Sequence, residues 1–319
     1  MDIYLGIDVG SVTTKFAALN EKGELLVHLY LRTQGRPIQM IQEGLKEVAV
    51  KLPEEAVVKG VGTTGSARYL AGVIVGADLV KNEITAHAVG ALQYVPNVHT
   101  IMEIGGQDSK IIILRDGVVT DFAMNTVCAA GTGSFLDQQA ARLGLRIEEF
   151  GPLALKSKAA VRIAGRCTVF AESDMVHKQQ VGHRVEDILY GLCDALARNF
   201  INNLGLGKEI LPPIVFQGGV ATNEGVVKAF ETNLKTEIRV SPHHKIMGAV
   251  GCALLAREQV EFTGKPTTFK GMAASEMAYS TASFECKACS NLCEIIQIKA
   301  GKQTIGRWGG RCDKWDVID

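Results

Sequence analysis

Short apolar runs separated by longer mixed stretches occupy most of this 319-residue chain. The runs at Phe16–Leu19, Ile111–Leu114 and Ile214–Phe216 are typical of strands that are buried in a sheet. The longer stretches between such runs predict helices. The predicted helices cover Arg36–Lys51, Ser66–Ala71, Asn82–Gln93, Thr132–Leu143, Phe170–Gln180, Val185–Leu204 and Lys245–Arg257.

A weak internal repeat relates the segment Ile7–Lys15 to the segment Met102–Lys110. Three matched pairs align without a gap: Asp8 with Glu103, Gly10 with Gly105, and Lys15 with Lys110. Each copy is interpreted as a strand that ends in an acidic residue, followed by a glycine turn and a second strand. A duplicated hairpin followed by helices predicts an α/β fold whose two halves face each other across a cleft.

The predicted boundaries follow from this repeat and from a change of composition near Gly264. We expect a first lobe formed by residues 1–97 and 245–262, and a second lobe formed by residues 98–244. Residues 263–283 are small, polar and irregular, which is typical of a linker. Residues 284–319 are expected to form a separate module that is rich in cysteine.

Composition excludes several classes of partner. The 34 basic and 34 acidic side chains balance, which argues against nucleic acid or an anionic membrane as the main partner. The sequence starts without a basic segment before an apolar stretch, and no apolar run is long enough for a membrane span. We therefore expect a cytoplasmic protein whose eight cysteines are metal ligands, reactive thiols or core residues rather than disulfides.

The first hairpin has the residue types of a phosphate-binding turn. Gly10 and Ser11 would let the backbone approach a ligand closely, and the side chains of Thr13, Thr14 and Lys15 would surround phosphate oxygens. Asp8, at the end of the strand, could reach a hydrated Mg²⁺ ion. No Walker A lysine motif is present, which argues against a P-loop protein.

Two further turns complete the predicted nucleotide site. The second hairpin contributes Glu103, Gly105, Gly106, Gln107 and Asp108 for the other side of the same phosphates. A third turn follows a strand and opens a helix, so it is expected to bind adenosine or its phosphates; its candidate residues are Gly218, Gly219, Val220, Ala221 and Asn223. Glu103 is the first candidate to orient the attacking water or the Mg²⁺ shell. Gln107 and Asp108 are second candidates, and the alternative is that Glu103 only caps its turn.

These three turns resemble a known superfamily. Gly6–Ser11, Ile104–Asp108 and Gln217–Ala221 look like the phosphate-1, phosphate-2 and adenosine motifs of the acetate kinase, sugar kinase, Hsp70 and actin superfamily. More narrowly, Cys128–Leu136 and Cys167–Asp174 resemble the ATPase activators of 2-hydroxyacyl-CoA dehydratases. That group lies in the family of benzoyl-CoA reductase ATPase subunits, with the reductases of double-cubane-cluster proteins.

The resemblance covers about residues 1–260. It implies two actin-like (ribonuclease H-like) lobes around a nucleotide cleft, with ATP or ADP and Mg²⁺ as ligands. The family's phosphate-2 motif usually begins with Asp, where this chain has Glu103. The charge is kept, but the reach of the carboxylate toward metal or water changes.

Two isolated cysteines, Cys128 and Cys167, raise the possibility of an iron–sulfur site. A 4Fe–4S cluster commonly takes four thiolates, and a two-fold homodimer would bring two from each chain. This count predicts a cluster shared between two subunits, and the resemblance implies the same arrangement. Helices that start near Thr132 and Phe170 would direct their N-termini at the sulfur atoms. The competing interpretation is that both cysteines are small buried core residues.

The other six cysteines divide into two groups. Cys193 and Cys252 lie within apolar helices, and we interpret them as packing residues. The C-terminal group is predicted to bind Zn²⁺ or a second iron–sulfur cluster, with metal-free reactive thiols as the alternative. Its members are Cys286, Cys289, Cys293 and Cys312, around a hairpin formed by Glu294–Lys299 and Thr304–Trp308. Short dehydratase activators end before this piece.

Together these features predict an ATP-dependent reductase. ATP hydrolysis would drive one low-potential electron from ferredoxin or flavodoxin, through the shared cluster, to an iron–sulfur partner of the dehydratase or double-cubane-cluster type. Gly131 and Thr132, in a turn just after Cys128, would touch the phosphates and link nucleotide to cluster. The alternatives are a small-molecule kinase of the same superfamily and a nucleotide-gated sensor without enzymatic turnover.

Overall fold

The structure is a computed structural model that describes residues 1–312, 314–315 and 317–318. It divides into two compact units. The first unit consists of Met1–Gly90 together with Gly248–Asp319, and the second unit consists of Ala91–Met247.

The first unit is built on a five-stranded sheet in the order β3-β2-β1-β4-β5. Its elements are β1 (Asp2–Val9), β2 (Thr13–Asn20), β3 (Leu25–Arg32), α1 (Pro37–Lys51), β4 (Val57–Thr64), α2 (Arg68–Val75), β5 (Leu79–Val80) and α3 (Glu83–Tyr94). Strands β1, β2 and β3 pair antiparallel, whereas β1, β4 and β5 pair parallel. Strands β1 and β2 are buried along most of their length, as their apolar sequences predict.

The second unit contains another five-stranded sheet, in the order β10-β9-β6-β7-β8. Its elements are β6 (Thr100–Ile104), β7 (Ser109–Arg115), β8 (Val118–Asn125), α4 (Gly133–Arg142), α5 (Ile147–Ala154), α6 (Thr168–Gln180), α7 (Val185–Leu204), β9 (Ile214–Gln217), α8 (Glu224–Leu234) and β10 (Ile238–Val240). Short 3-10 helices cover Ala129–Gly131 and Gly219–Thr222.

The predicted duplication is confirmed by the topology of the two sheets. Strands β6, β7, β8, β9 and β10 follow the same order and the same parallel or antiparallel pairing as β1, β2, β3, β4 and β5. The α/β class predicted from the sequence, with two sheet-containing lobes, is therefore correct.

The predicted helices are present, with ends shifted by a few residues in most cases, and α7 keeps its predicted bounds. Helix α5 was not predicted, because its eight residues include Gly151 and Pro152. Glu149 compensates for this composition, since its carboxylate accepts the backbone N–H of Arg146 at 3.0 Å at the start of the helix.

The C-terminal part begins with α9 (Met247–Thr263) and continues into a four-stranded antiparallel sheet. The strands are β11 (Tyr279–Glu285), β12 (Glu294–Ala300), β13 (Gln303–Trp308) and β14 (Val317–Ile318), so the predicted hairpin is confirmed. Where a linker was expected, a 3-10 helix at Met272–Glu276 packs against α1. Ala274 and Ile298 join the hydrophobic core of the first unit. None of the described helices is long and apolar enough to cross a membrane.

Candidate functional site

Each hairpin places its acidic residue directly opposite a lysine. In the first unit Asp8 pairs with Lys15 across β1 and β2, and their charged atoms are 3.1 Å apart. In the second unit Glu103 pairs with Lys110 across β6 and β7, at 3.0 Å. Both acids are about 5% exposed, so each carboxylate is shielded from water and balanced by a close cation.

The turns between the paired strands are closed in the same way. Gly10 donates its backbone N–H to the carbonyl of Thr13 at 2.9 Å, and Gly105 donates to the carbonyl of Asp108 at 3.0 Å. The tip residues Ser11 and Gln107 are exposed. Both turns therefore present a compact backbone loop beside a buried carboxylate, as the sequence repeat predicted.

Thr14 lies inside the first hairpin rather than at its tip. Its side chain is fully buried, and its hydroxyl lies 3.0 Å from that of Thr33. The hydroxyl of Thr33 donates its hydrogen to the carbonyl of Gly10, at 2.9 Å. In the contact between the two threonine hydroxyls, Thr14 is therefore the donor and Thr33 the acceptor. In the structure Thr14 therefore braces the Gly10 turn from within.

In each unit, one further glycine packs closely against the acidic residue. Gly65 follows β4 with φ +90°, and Gly218 follows β9 with φ +91°. A Cβ atom at Gly65 would stand 2.6 Å from Asp8 Oδ1, and one at Gly218 would stand 2.7 Å from Glu103 Oε1. Only glycine fits both the backbone angle and the space at these two positions. The sequence did not single out Gly65, whose neighbours share little with those of Gly218.

Three more residues lie near Asp8, and sequence reasoning assigned none of them to the site. A Cβ at Gly248, near the start of α9, would lie 2.8 Å from Asp8 Oδ2 and 3.2 Å from His87 Nε2. His87 is 6% exposed. Thr64, opposite Asp8 in the parallel register, has a buried hydroxyl without a hydrogen-bond partner among the described residues.

The third predicted turn lies in the second unit beside Glu103. Gly219 begins its 3-10 helix, while Val220 and Ala221 are buried. Asn223 accepts the backbone N–H of Val226 at 3.2 Å and so caps α8. Its Oδ1 is therefore occupied by the helix.

His244 supports this turn from outside the predicted set. Its backbone carbonyl accepts the N–H of Gly218 at 2.8 Å, and its ring nitrogens lie 3.0 Å from Thr222 Oγ1 and 2.9 Å from the Ser241 carbonyl. Burial lowers the pKa of His244, which favours the neutral ring.

The start of α4 is tied to the Gly105 turn. Gly133 donates its N–H to the carbonyl of Gly105 at 2.8 Å, and Ser134 donates both its N–H and its hydroxyl to the carbonyl of Gly106. Thr132 closes the preceding 3-10 helix through its hydroxyl, which donates to Ala129 at 2.7 Å. The segment that carries Cys128 is thus held to the predicted phosphate-2 turn by three hydrogen bonds.

Cys128 and Cys167 lie on neighbouring loops of the second unit. Cys128 Sγ is 3.5 Å from the backbone carbonyl of Arg166, the residue just before Cys167. Cys128 precedes the 3-10 helix Ala129–Gly131, Cys167 precedes α6, and both side chains are partly exposed. Neither cysteine is a buried core residue.

The surface beside these cysteines is unusually apolar. Val127 is 94% exposed, Val169 is 65% exposed and Phe170 is 66% exposed. The three residues adjoin Cys128 or lie in the first turn of α6. Clustered exposed apolar side chains are typical of a surface that is covered by another protein.

The chain matches the model of the BadF/BadG/BcrA/BcrD ATPase family over residues 5–256. The chain belongs to this family. It is 39% identical to the (R)-2-hydroxyglutaryl-CoA dehydratase activating ATPase of Acidaminococcus fermentans, over 80% of this chain and 98% of that protein.

Two solved structures are similar to most of the chain. The crystal structure of the Acidaminococcus fermentans component A has a TM-score of 0.75 at 37% identity, covering 82% of this chain and all of that chain. The Clostridium difficile activator of 2-hydroxyisocaproyl-CoA dehydratase, solved with bound ADPNP, has a TM-score of 0.73 at 30% identity, covering 82% and 97%. The two sheet-containing lobes are therefore those of an actin-like ATPase activator.

The remaining cysteines have other surroundings. Cys193 and Cys252 are fully buried, as predicted for packing residues, and burial raises the pKa of both thiols. At the C-terminus, the backbone N–H of Ala288 and the indole N–H of Trp315 lower the pKa of the Cys286 thiol. Trp315 Nε1 lies 3.1 Å from Cys286 Sγ.

The predicted C-terminal metal site is not shown by the structure. In residues 1–312, 314–315 and 317–318, no three His, Cys, Asp or Glu side chains are grouped so that they could hold a metal ion. Cys289 and Cys312 are exposed, whereas Cys286 is buried against Trp315. Among the described residues these four thiols are therefore not grouped as a metal centre, and the family match ends before them.

Proposed function

We propose that this ATPase couples ATP hydrolysis to the transfer of one low-potential electron to an iron–sulfur partner enzyme. The partner would be of the 2-hydroxyacyl-CoA dehydratase type or a double-cubane-cluster protein, and the electron donor would be a ferredoxin or a flavodoxin. The observation that carries the proposal is the contact between the Cys128 loop and the Arg166–Cys167 loop. The similarity to the (R)-2-hydroxyglutaryl-CoA dehydratase activating ATPase supports it.

The cysteine pair fits one half of a 4Fe–4S ligand set. One chain brings two partly exposed thiols into adjacent loops, and two chains related by a two-fold axis would bring four. When bound, a 4Fe–4S cluster supplies one-electron chemistry. A second copy of the chain would also cover the exposed side chains of Val127, Val169 and Phe170. We therefore propose a homodimer with Cys128 and Cys167 as the ligands in each subunit.

The hairpins supply the groups that ATP hydrolysis needs. Asp8 is proposed to bind Mg²⁺ through water, with Lys15 contacting phosphate. Glu103 is proposed to orient the attacking water, and the exposed Gln107 is the second candidate. Phosphate oxygens would be bound by the backbone and side chains of the turns, including Gly10, Ser11, Thr13, Gly105, Gly106 and Asp108.

The hydrogen bonds of Gly133 and Ser134 supply the coupling in this proposal. A change at the Gly105–Gly106 turn on loss of the γ-phosphate would be passed to the N-terminus of α4 and to the Cys128 loop. Lowering a one-electron potential by ~200 mV requires roughly 4.6 kcal/mol. Nucleotide-driven rearrangement together with partner docking would provide this free energy.

Anaerobic purification with iron counting tests the proposal. We expect about four iron atoms per dimer, from the four-thiolate ligand set, and a brown colour that oxygen bleaches. Cys128→Ala and Cys167→Ala should each abolish the visible spectrum. Cys193→Ala is the matched control in the same unit and should keep its iron, because that thiol is buried in the core. Full iron content in Cys128→Ala would refute the proposal.

Functional assays separate the alternatives. The proposal requires ATP-dependent electron transfer to an iron–sulfur partner. Phosphorylation of a sugar or an organic acid by a colourless monomer would instead favour the small-molecule kinase. ATP-dependent binding with negligible turnover would favour the sensor. The exposed apolar surface beside Cys128 and Cys167 would have no role in a small-molecule kinase. For this reason we prefer the electron-transfer function.

A further inference from the structure

We propose that Asn199 is a positioning residue for the cysteine pair. Its side-chain amide joins the loop of Cys128 to the loop of Cys167 and donates an N–H to Cys128 Sγ. The inference rests on the proposed function, since it assigns Asn199 the task of holding both thiols for a shared cluster and setting the potential of that cluster.

Asn199 lies on α7 and is 4% exposed. Its Nδ2 donates to the backbone carbonyl of Gly165 and lies 3.8 Å from Cys128 Sγ. Its Oδ1 accepts a hydrogen bond from Asn203, one turn further along the helix, at 3.1 Å. The buried amide therefore has a partner for each of its two hydrogens and one for its oxygen.

The orientation of this amide is fixed by its neighbours. The carbonyl of Gly165 can only accept a hydrogen bond, so the atom that faces it must be the Nδ2 donor. The second hydrogen of the same nitrogen is then directed toward Cys128 Sγ. If Oδ1 occupied the place of Nδ2, it would have no hydrogen to donate to the Gly165 carbonyl or to the sulfur.

Helix α7 acts as a common base for both loops because two glycines allow close approach. A Cβ at Gly131 would lie 2.7 Å from Asn199 Oδ1, and a Cβ at Gly165 would lie 2.7 Å from the carbonyl of Ala195. Ala195 precedes Asn199 by one helical turn. Both loops are therefore seated on one stretch of a helix that is buried in the core of the second unit.

The hydrogen bond to sulfur has an electrostatic consequence. An N–H directed at a ligating sulfur stabilises negative charge there, and reduction adds negative charge to a cluster. Asn199 should therefore favour the reduced form and raise the reduction potential. Loss of the amide should weaken this preference and also free the two loops from each other.

The experiment compares wild type with Asn199→Ala and with Asn199→Leu, which is similar in size and removes both donors without adding a charge. Asn202→Ala, an exposed position on the same helix, is the matched control. The first measurement is the midpoint potential of the cluster-loaded dimer. The second is hydrogen–deuterium exchange of residues 126–132 and 164–168 in cluster-free protein, which does not depend on the cluster. Wild-type iron content is measured in parallel.

In both Asn199 variants we expect a tenfold weaker preference for the reduced form, equivalent to ~59 mV toward more negative potential. We also expect faster exchange in both loops, with no change in Asn202→Ala. An unchanged potential in a cluster-loaded variant, together with unchanged exchange in the cluster-free form of that variant, would overturn the inference. If wild type holds no cluster, the proposed function fails while the exchange measurement still decides whether Asn199 joins the loops. If Asn199→Ala does not fold, Asn199→Leu decides.

Discussion

Gly133 donates its backbone N–H to the carbonyl oxygen of Gly105 at 2.8 Å, and this bond joins the start of α4 to the predicted phosphate-2 turn. Ser134 adds a hydroxyl bond of 2.6 Å to Gly106. Ser134→Ala keeps the backbone bonds but removes the hydroxyl bond, which is worth about 1 kcal/mol. We expect a smaller nucleotide-dependent difference in hydrogen–deuterium exchange over residues 128–132.

Ser173→Ala is the control for this change, because Ser173 also donates its hydroxyl to a backbone carbonyl, within α6. It should leave the response of residues 128–132 to nucleotide intact. A full nucleotide response in Ser134→Ala would show that the hydroxyl bond has no part in coupling.

Gly218, which packs against the carboxylate of Glu103, can be compared with Gly117, which also has a positive φ but lies in open space. Gly218→Ala strains a backbone with φ +91° and places a methyl group 2.7 Å from Glu103 Oε1. Gly117→Ala strains a backbone with φ +76° but meets no atom within 4 Å. Both should lose about 1–2 kcal/mol of stability from the backbone term. Only Gly218→Ala should lower the rate of ATP hydrolysis, by tenfold or more, in a steady-state phosphate-release assay. Equal rates in the two variants would contradict this view of Glu103.

Lys110 holds two carboxylates in the second hairpin. Its ammonium group is 3.0 Å from both Glu103 and Asp108, and its side chain is 2% exposed. Lys110→Met would leave a buried carboxylate without its cation, so we expect a loss of about 3–5 kcal/mol in the free energy of unfolding by urea. Lys228→Met breaks the exposed pair with Glu231 and should cost less than about 1 kcal/mol. A similar small loss in Lys110→Met would disprove the structural role of the pair.

His244 predicts a dependence of stability on pH. Burial lowers its pKa in the folded protein below the value of 6.5 that applies when it is unfolded. Below pH 6.5 the unfolded chain therefore binds more protons than the folded chain, and stability falls as the pH drops toward the folded pKa. His244→Gln should remove this part of the pH dependence of urea unfolding. Identical pH profiles in wild type and His244→Gln would exclude the effect.

Metal content tests the C-terminal cysteines separately from the pair at Cys128. Because no metal-binding group is formed among the described residues, the double variant Cys286→Ser and Cys289→Ser should keep the metal content of wild type. Elemental analysis of anaerobically purified protein measures iron and zinc together. Loss of one zinc per chain, or of iron, in the double variant would support the C-terminal metal site that the cysteine count predicted.

The sequence predicted the parts of the site that lie close together along the chain. Each hairpin motif is contained in nine residues, so the match of Asp8 with Glu103 and of Lys15 with Lys110 could be found by alignment, although the ion pairs that they form could not. Gly65 could not be found in this way, because it meets Asp8 only through the parallel pairing of β1 with β4. Such contacts depend on the register of strands that are far apart in sequence.

Two other differences have local physical causes. Residues 263–283 have the composition of a linker, yet Phe269, Met272 and Ala274 anchor them to the first unit's core. A few apolar contacts were enough to outweigh the polar composition. Asn199 sits in an amphipathic helix without a motif, and only its contacts with Gly165 and Cys128 reveal its position.

The two equivalent sheets also show where the chain is not symmetric. Gly65 follows Lys15 by 50 positions, whereas its counterpart Gly218 follows Lys110 by 108, so the second connection is 58 residues longer. The longer connection contains both Cys128 and Cys167. The two hairpins and their sheets therefore match in topology, whereas the thiol-bearing segment lies in the part of the second unit that exceeds its counterpart in length. The length of the segment that carries both cysteines thus differs between the two units without a change in the backbone hydrogen bond that closes either hairpin turn.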